Sequence, residues 1–163
     1  MLRKSGRSCF DDAVERCDTT KAIYLRELGW NTLYDPNHNY GQYPRICWAL
    51  NGNNLKLVTT YLAVGGIDKR ELDHALHIAA DNNEVIAMEL LLDQGASPNG
   101  MEHLPGQSPL VKAAASGKAE QVRILLRYGA DCNVRDLYDK TAFQIAKGRG
   151  DKKIVALLTQ AKK

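Results

Sequence analysis

Apolar residues fall at helical spacing in five short stretches of the chain, AIYLREL, VTTYLAV, IAMELLL, VRILLRY and IVALLTQ, with polar residues at the steps between. Steps of three and four residues place the apolar side chains on one face of a helix. Ahead of each stretch lies a shorter apolar segment, anchored at Phe10, Ile46, Leu76, Leu110 and Phe143. The anchors are 36, 30, 34 and 33 residues apart, so the pattern is a repeat and not a set of unrelated helices. A unit of that size has an apolar face and nothing of its own to bury it against. Only stacked copies make a core.

Position-by-position comparison of the units fixes the register. Three residues after every anchor stands alanine: Ala13, Ala49, Ala79, Ala113 and Ala146. A small residue there is what two closely approaching helices require. Seven residues after the anchors come Cys17, Asn53, Asn83, Gly117 and Gly150. Glycine and asparagine tolerate left-handed backbone, which predicts a helix end turning tightly into a second helix. Nineteen residues after come Gly29, Gly65, Gly95 and Gly129, predicted to end that second helix. Each unit reads as short helix, tight turn, longer helix, then an extended hairpin-like connection. Sixteen residues after the anchor the inner units carry Leu62, Leu92 and Leu126, whereas the first has Arg26 and the last Thr159. Terminal repeats have no neighbour and need polar outer faces, so these two departures predict caps.

The segments HALHIAADNNEVIAMELLLDQGASPN, SPLVKAAASGKAEQVRILLRYGADCN and TAFQIAKGRGDKKIVALL, with the weaker copy PRICWALNGNNLKLVTTYLAVGG, resemble ankyrin repeats. The family's Thr-Pro-Leu-His corner is present in pieces, as Ser108-Pro109-Leu110, Thr141-Ala142-Phe143 and Ala75-Leu76-His77. The resemblance implies an all-α ankyrin-repeat solenoid of helix-turn-helix units joined by hairpin-like loops, about five repeats with divergent capping repeats at both ends. Residues 1–163 would then form a single domain, with repeats at approximately 8–31, 44–68, 74–99, 108–133 and 141–163. It also implies that His77 holds adjacent loops through its side chain and that Asn99 and Asn133 bridge successive hairpins.

In function the resemblance implies a non-catalytic module that binds another protein through a concave face of hairpin tips and short helices. Carried over by position, the tips are Tyr40, Tyr43, Arg70, Glu71, Asp73, Leu104, Gln107, Leu137, Tyr138 and Lys140. The short helices contribute Asn51, Asp81, Asn82, Ser116 and Arg149. Large side chains at Tyr40, Tyr43, Tyr138, Leu104 and Leu137 have no evident structural need there, and tyrosine is a frequent anchor of binding energy. Two connections depart from the family pattern. NTLYDPNHNYGQY is longer, and GGIDKRELD is shorter and charged, which predicts a missing hairpin or a helix in its place.

Composition adds bounds. With 163 residues, 44% hydrophobic and 25% charged, the chain is predicted to be a soluble globular protein. No apolar run approaches the roughly 20 residues that span a bilayer, and the start meets Asp11-Asp12 where a signal peptide needs its apolar segment. A cytoplasmic protein is expected, with the nucleus or a host-cell cytosol left open, monomeric on its own and without a membrane partner.

The net charge of +3 is uneven: the last 17 residues carry six basic side chains against Asp151. That cap gives one alternative function, binding an acidic surface or nucleic acid through Lys152, Lys153, Lys162 and Lys163, although nucleic acid is disfavoured by the absence of interleaved aromatics. A second alternative is a host-directed bacterial effector or regulatory adaptor using the same concave face.

Candidate chemistry is sparse. Cys9, Cys17, Cys47 and Cys132 show no pairing pattern and are read as free thiols. Cys9, His38 and Asp35 could be drawn as a hydrolase triad, but no motif around Cys9 would activate it. His74 and His77 lack the further ligands a metal needs. Trp48 is read as core, two residues after an anchor; Trp30 stays open. No catalytic residue, metal or cofactor is expected.

Overall fold

The computed structural model describes residues 13–27, 45–100 and 108–161. Residues 13–15 are helical, and helix α1 follows at Thr19–Glu27. Then come α2 (Arg45–Asn51), α3 (Leu55–Val64), α4 (Lys69–Asp81) and α5 (Val85–Asp93). The last four are α6 (Pro109–Ala115), α7 (Ala119–Arg127), α8 (Ala142–Arg149) and α9 (Lys152–Ala161). The fold is an all-α solenoid; among the described residues β pairing is confined to one antiparallel bridge, Arg135 with Thr141.

Two rows of helices build the stack. The first helices pack in chain order, α2 on α4, α4 on α6 and α6 on α8. The second helices form the other row, α1 on α3, α3 on α5, α5 on α7 and α7 on α9. The five repeated alanines are all buried, which lets the rows approach. So are Tyr61, Leu91, Leu125 and Leu158, which occupy one equivalent position of successive second helices. Arg127 on α7 pairs with Glu89 on α5, and the Tyr128 hydroxyl donates to Asp93 Oδ1 at 2.5 Å, tying the second-helix row on its exposed side.

The turns follow the sequence register. Cys17, Asn53, Asn83, Gly117 and Gly150 all have positive φ, between 50° and 73°. Four residues out of five here are the asparagines and glycines that adopt this conformation readily, and Cys17 adopts it against its preference. Helix starts are capped from the chain itself: Ser108 accepts from Val111 N–H with Pro109 in the first turn, and Thr141 and Gln144 form a reciprocal capping box.

The link before α4 lacks a hairpin, as expected of it, but the placement of Arg70, Glu71 and Asp73 on a tip is corrected, and so is the reading of Arg26. The connection from α3 to α4 holds only residues 65–68, with Gly65 and Gly66 at positive φ, so no hairpin forms there. Asp68 accepts from Glu71 N–H at 2.8 Å and the Glu71 carboxylate accepts from Asp68 N–H at 3.2 Å. That capping box starts α4 early and makes it 13 residues long, so Arg70, Glu71 and Asp73 lie on a helix and not on a tip. Arg26, read as an outward polar cap residue, is half-buried and donates to the Val64 carbonyl. Its guanidinium satisfies a last-turn carbonyl of α3 and faces the neighbouring repeat.

Candidate partner-binding surface

The best-defined tip lies between α7 and α8. One carboxylate organises it: Asp136 Oδ1 accepts from Tyr138 N–H at 2.8 Å and from Lys140 N–H at 2.9 Å. Asp136 N–H in turn donates to the Lys140 carbonyl at 2.9 Å, and Arg135 Nη1 reaches the Asp139 carbonyl at 2.9 Å. Asp139 sits at φ 61°, the left-handed geometry that a tight tip needs and that aspartate tolerates. The result is a closed loop with its two apolar side chains outside, Leu137 at 67% and Tyr138 at 81% exposure. Lys140 beside them is exposed.

The connection after α5 is held differently. Asp73 Oδ1 accepts from Ser97 N–H at 2.5 Å, and one turn further along α4 the buried His77 donates from Nε2 to the Gly100 carbonyl at 3.0 Å. A carbonyl only accepts, so that ring nitrogen carries the proton. Asn99 bridges onward, its Nδ2 donating to the Gly129 carbonyl at 3.3 Å and its Oδ1 accepting from Asp131 N–H at 2.7 Å. Asn99 thus links neighbouring connections, and His77 ties α4 to the connection after α5. Asp73 is engaged in the same work.

At the far ends of the first helices Asn51, Asp81, Asn82, Ser116 and Arg149 are exposed. Some already have partners. Asp81 pairs with Lys112 of α6 at 2.9 Å, and Asn82 Nδ2 donates to the Leu50 carbonyl at 3.2 Å. Arg70 is almost fully exposed, its nearest acidic group Asp68 at 3.9 Å.

Tyr40, Tyr43, Leu104 and Gln107 lie outside the described residues, as do Cys9, Trp30, Asp35, His38 and the side chain of Trp48. Cys47 is buried, and that burial, with the Glu71 charge adding to it, pushes its thiol up to about 12. Among the described residues no three His, Cys, Asp or Glu side chains gather in a way that could hold a metal ion. Nor is any helix among them long and apolar enough to cross a membrane.

Sequence reading missed the links at the helix turns. Lys118 Nζ donates to the Ala80 carbonyl at 2.8 Å, and Gln121 Nε2 to the same oxygen at 2.7 Å. The signal was available: Gln121 stands where the other units have Lys21, Leu57, Ala87 and Ile154. A lone amide at a core position needs a buried partner.

Family models match two stretches of the chain: "Ankyrin repeat" over residues 71–101 and "Ankyrin repeats (many copies)" over residues 99–146. An ankyrin repeat protein of fowlpox virus is 28% identical over 76% of this chain and 31% of its own length. The glycerophosphocholine phosphodiesterase gde1 of Schizosaccharomyces pombe is 34% identical over 68% of this chain but 10% of its own. The crystal structure of an ankyrin repeat domain from Acinetobacter baumannii superposes with a TM-score of 0.71 at 26% identity, covering 99% of this chain and 85% of that one.

The chain is an ankyrin-repeat protein. It spans less than a third of the length of either curated relative. Ankyrin repeats are generally protein–protein interaction modules, and the repeat fold itself is typically non-catalytic.

Proposed function

We propose that the chain binds a partner protein through the face formed by its connection tips and its first helices, without catalysis. Leu137 and Tyr138 carry the reading: two large side chains are held out in solvent on a tip whose backbone is closed by Asp136. A preformed tip loses little conformational freedom on binding, so more of the contact energy appears as affinity. Exposed single apolar residues are ordinary, but an adjacent pair on a rigid loop is a ready anchor. Lys140 and Arg70 would supply polar surroundings on the connection side, and Asn51, Asn82, Ser116 and Arg149 would extend the face to the far ends of the first helices, with Tyr40, Tyr43, Leu104 and Gln107 as further tip positions. Glu71, Asp73 and Asp81 contribute less directly, because each carboxylate already has an internal partner.

A second reading uses the basic end, where Lys147, Arg149, Lys152 and Lys153 are all exposed. It predicts binding to an acidic surface that falls steeply with added salt. The same face serving a host-directed effector or a regulatory adaptor would show the tip dependence and differ only in the partner.

Affinity capture at about 0.1 M and at 0.5 M salt, with wild type beside a folded Leu137→Ala/Tyr138→Ala variant, separates the readings. A partner kept at the higher salt and lost with the variant supports the tips. A partner retained by the variant and released by salt supports the basic end instead.

A further inference from the structure

Two neighbouring junctions between helix turns are closed to different extents. At the junction of α4 with α7, Lys118 Nζ donates to the carbonyls of Ala80 at 2.8 Å and Asp81 at 3.3 Å. Gln121 Nε2 fills in behind it, on the Ala80 carbonyl at 2.7 Å and Asn83 Oδ1 at 3.2 Å. One repeat earlier, at the junction of α2 with α5, the same two positions hold Glu84 and Ala87. Alanine cannot reach across, and an ionised carboxylate only accepts, so neither can donate to the last carbonyls of α2. Across this junction, among the described residues, Asn82 Nδ2 donates to the Leu50 carbonyl, which also accepts from Asn53 N–H at 2.9 Å. An open groove of about 620 Å³ remains between the turns, lined by both aliphatic and polar side chains.

The lining is specific in its chemistry. The partly exposed Leu55 and Val85 make an aliphatic wall over the buried Leu50, and Ile86 stands 61% exposed at the edge. Glu84 begins α5 without capping it, unlike Asn54 and Asp151 at the equivalent position, which accept from Leu57 N–H and Ile154 N–H. Aliphatic wall, carboxylate and carbonyl-bearing helix end together match a long side chain with a cationic tip. We propose that this groove takes a lysine or arginine side chain of a partner protein, its stem against Leu55 and Val85 and its charged head between the Glu84 carboxylate and the carbonyl end of α2. It is the place that Lys118 fills from within the chain one repeat later. Partial burial raises the pKa of Glu84, with the Asn82 hydrogen bond opposing it. The helix turns lie at the opposite end of each helix pair from the connections, so Leu137 and Tyr138 take no part in this site, although Asn51 and Asn82 on its lining also belong to the proposed binding face.

The test is an NMR titration of the ¹⁵N-labelled chain with Nα-acetyl-lysine N-methylamide, beside its norleucine counterpart, which lacks the ammonium, at constant ionic strength. Saturable shifts at Asn53, Asn83, Glu84 and Ile86 are expected with the lysine compound and not with norleucine. Glu84→Gln keeps the size and removes the charge, and should weaken binding about tenfold, the size of a lost charge-assisted hydrogen bond. Glu84→Lys/Ala87→Gln copies the closed junction and should abolish binding while raising Tm. Equal shifts with both compounds, no saturable shift, or binding unchanged in Glu84→Gln overturns the proposal, whether or not the double variant folds. Leu137→Ala/Tyr138→Ala should leave this titration unaltered, so failure here is distinct from failure of the tips.

Discussion

Single side chains hold this stack together at positions that a pattern of apolar residues does not mark. Asn99, Lys118 and Gln121 each reach a backbone group in a neighbouring repeat, and His77 reaches the connection that follows its own. His77 and Asn99 were legible because the resemblance assigns them those roles, and their bonds fit that assignment. Lys118 and Gln121 were not, since a lysine on a helix is ordinarily a solvated side chain and only the packed structure brings it to the Ala80 carbonyl. Cys47 gives the residue scale a direct test. Its ordinary pKa is 9.0 and burial pushes it up to about 12. A raised acid stabilises the fold fully below the unfolded pKa and less as pH climbs, because the unfolded chain ionises first. Iodoacetamide at pH 8 should therefore modify the partly exposed Cys17 and Cys132 well ahead of Cys47, with Cys47 reacting only on unfolding. Stability should decline from about pH 9 upward, and part of that decline should vanish in Cys47→Ala. Rapid native labelling of Cys47 would contradict the burial.

At the scale of elements, helices and turns were read correctly wherever apolar spacing and turn chemistry agreed. The clearest case is the set of five left-handed turn residues, Cys17 included, which shares one offset from the anchors. The missing hairpin before α4 was read correctly, and the misplacement of Arg70, Glu71 and Asp73 on a tip has a local cause. Asp68 and Glu71 form a capping box, and a four-residue link leaves no length for a hairpin, so helix α4 extends into the space. Arg26 was misread because sequence gives the polarity of a side chain but not which neighbour it faces. Packing of the second helices should dominate stability. Leu125 is fully buried, and Leu125→Ala should cost roughly 2–5 kcal/mol in chemical denaturation. Thr159 is exposed and its hydroxyl only bonds back to the Val155 carbonyl at 2.7 Å, so Thr159→Ala should cost less than about 0.5 kcal/mol. Comparable losses at the two sites would mean that the last helix is covered by something further.

The whole molecule divides its surface by the same repeat that builds its core. Regular positions face inward and are legible from periodicity. The tips and turns are where repeats differ, so their sequences say least about their shape. Hence the fold could be read from alanines, leucines and glycines, whereas the candidate site could be read only as positions. Leu137 and Tyr138 prove exposed, but Asp73 and Asp81 are tied to internal partners that no spacing rule displays. The groove beside Glu84 emerges only when two junctions are compared residue by residue in three dimensions. The account rests on the tips as the binding face. Hydrogen–deuterium exchange with a captured partner tests that most directly. Slowed exchange is predicted at residues 136–140 and at the C-terminal ends of α4 and α6. Protection confined to residues 147–161, with the tip exchanging as in the free chain, would contradict it.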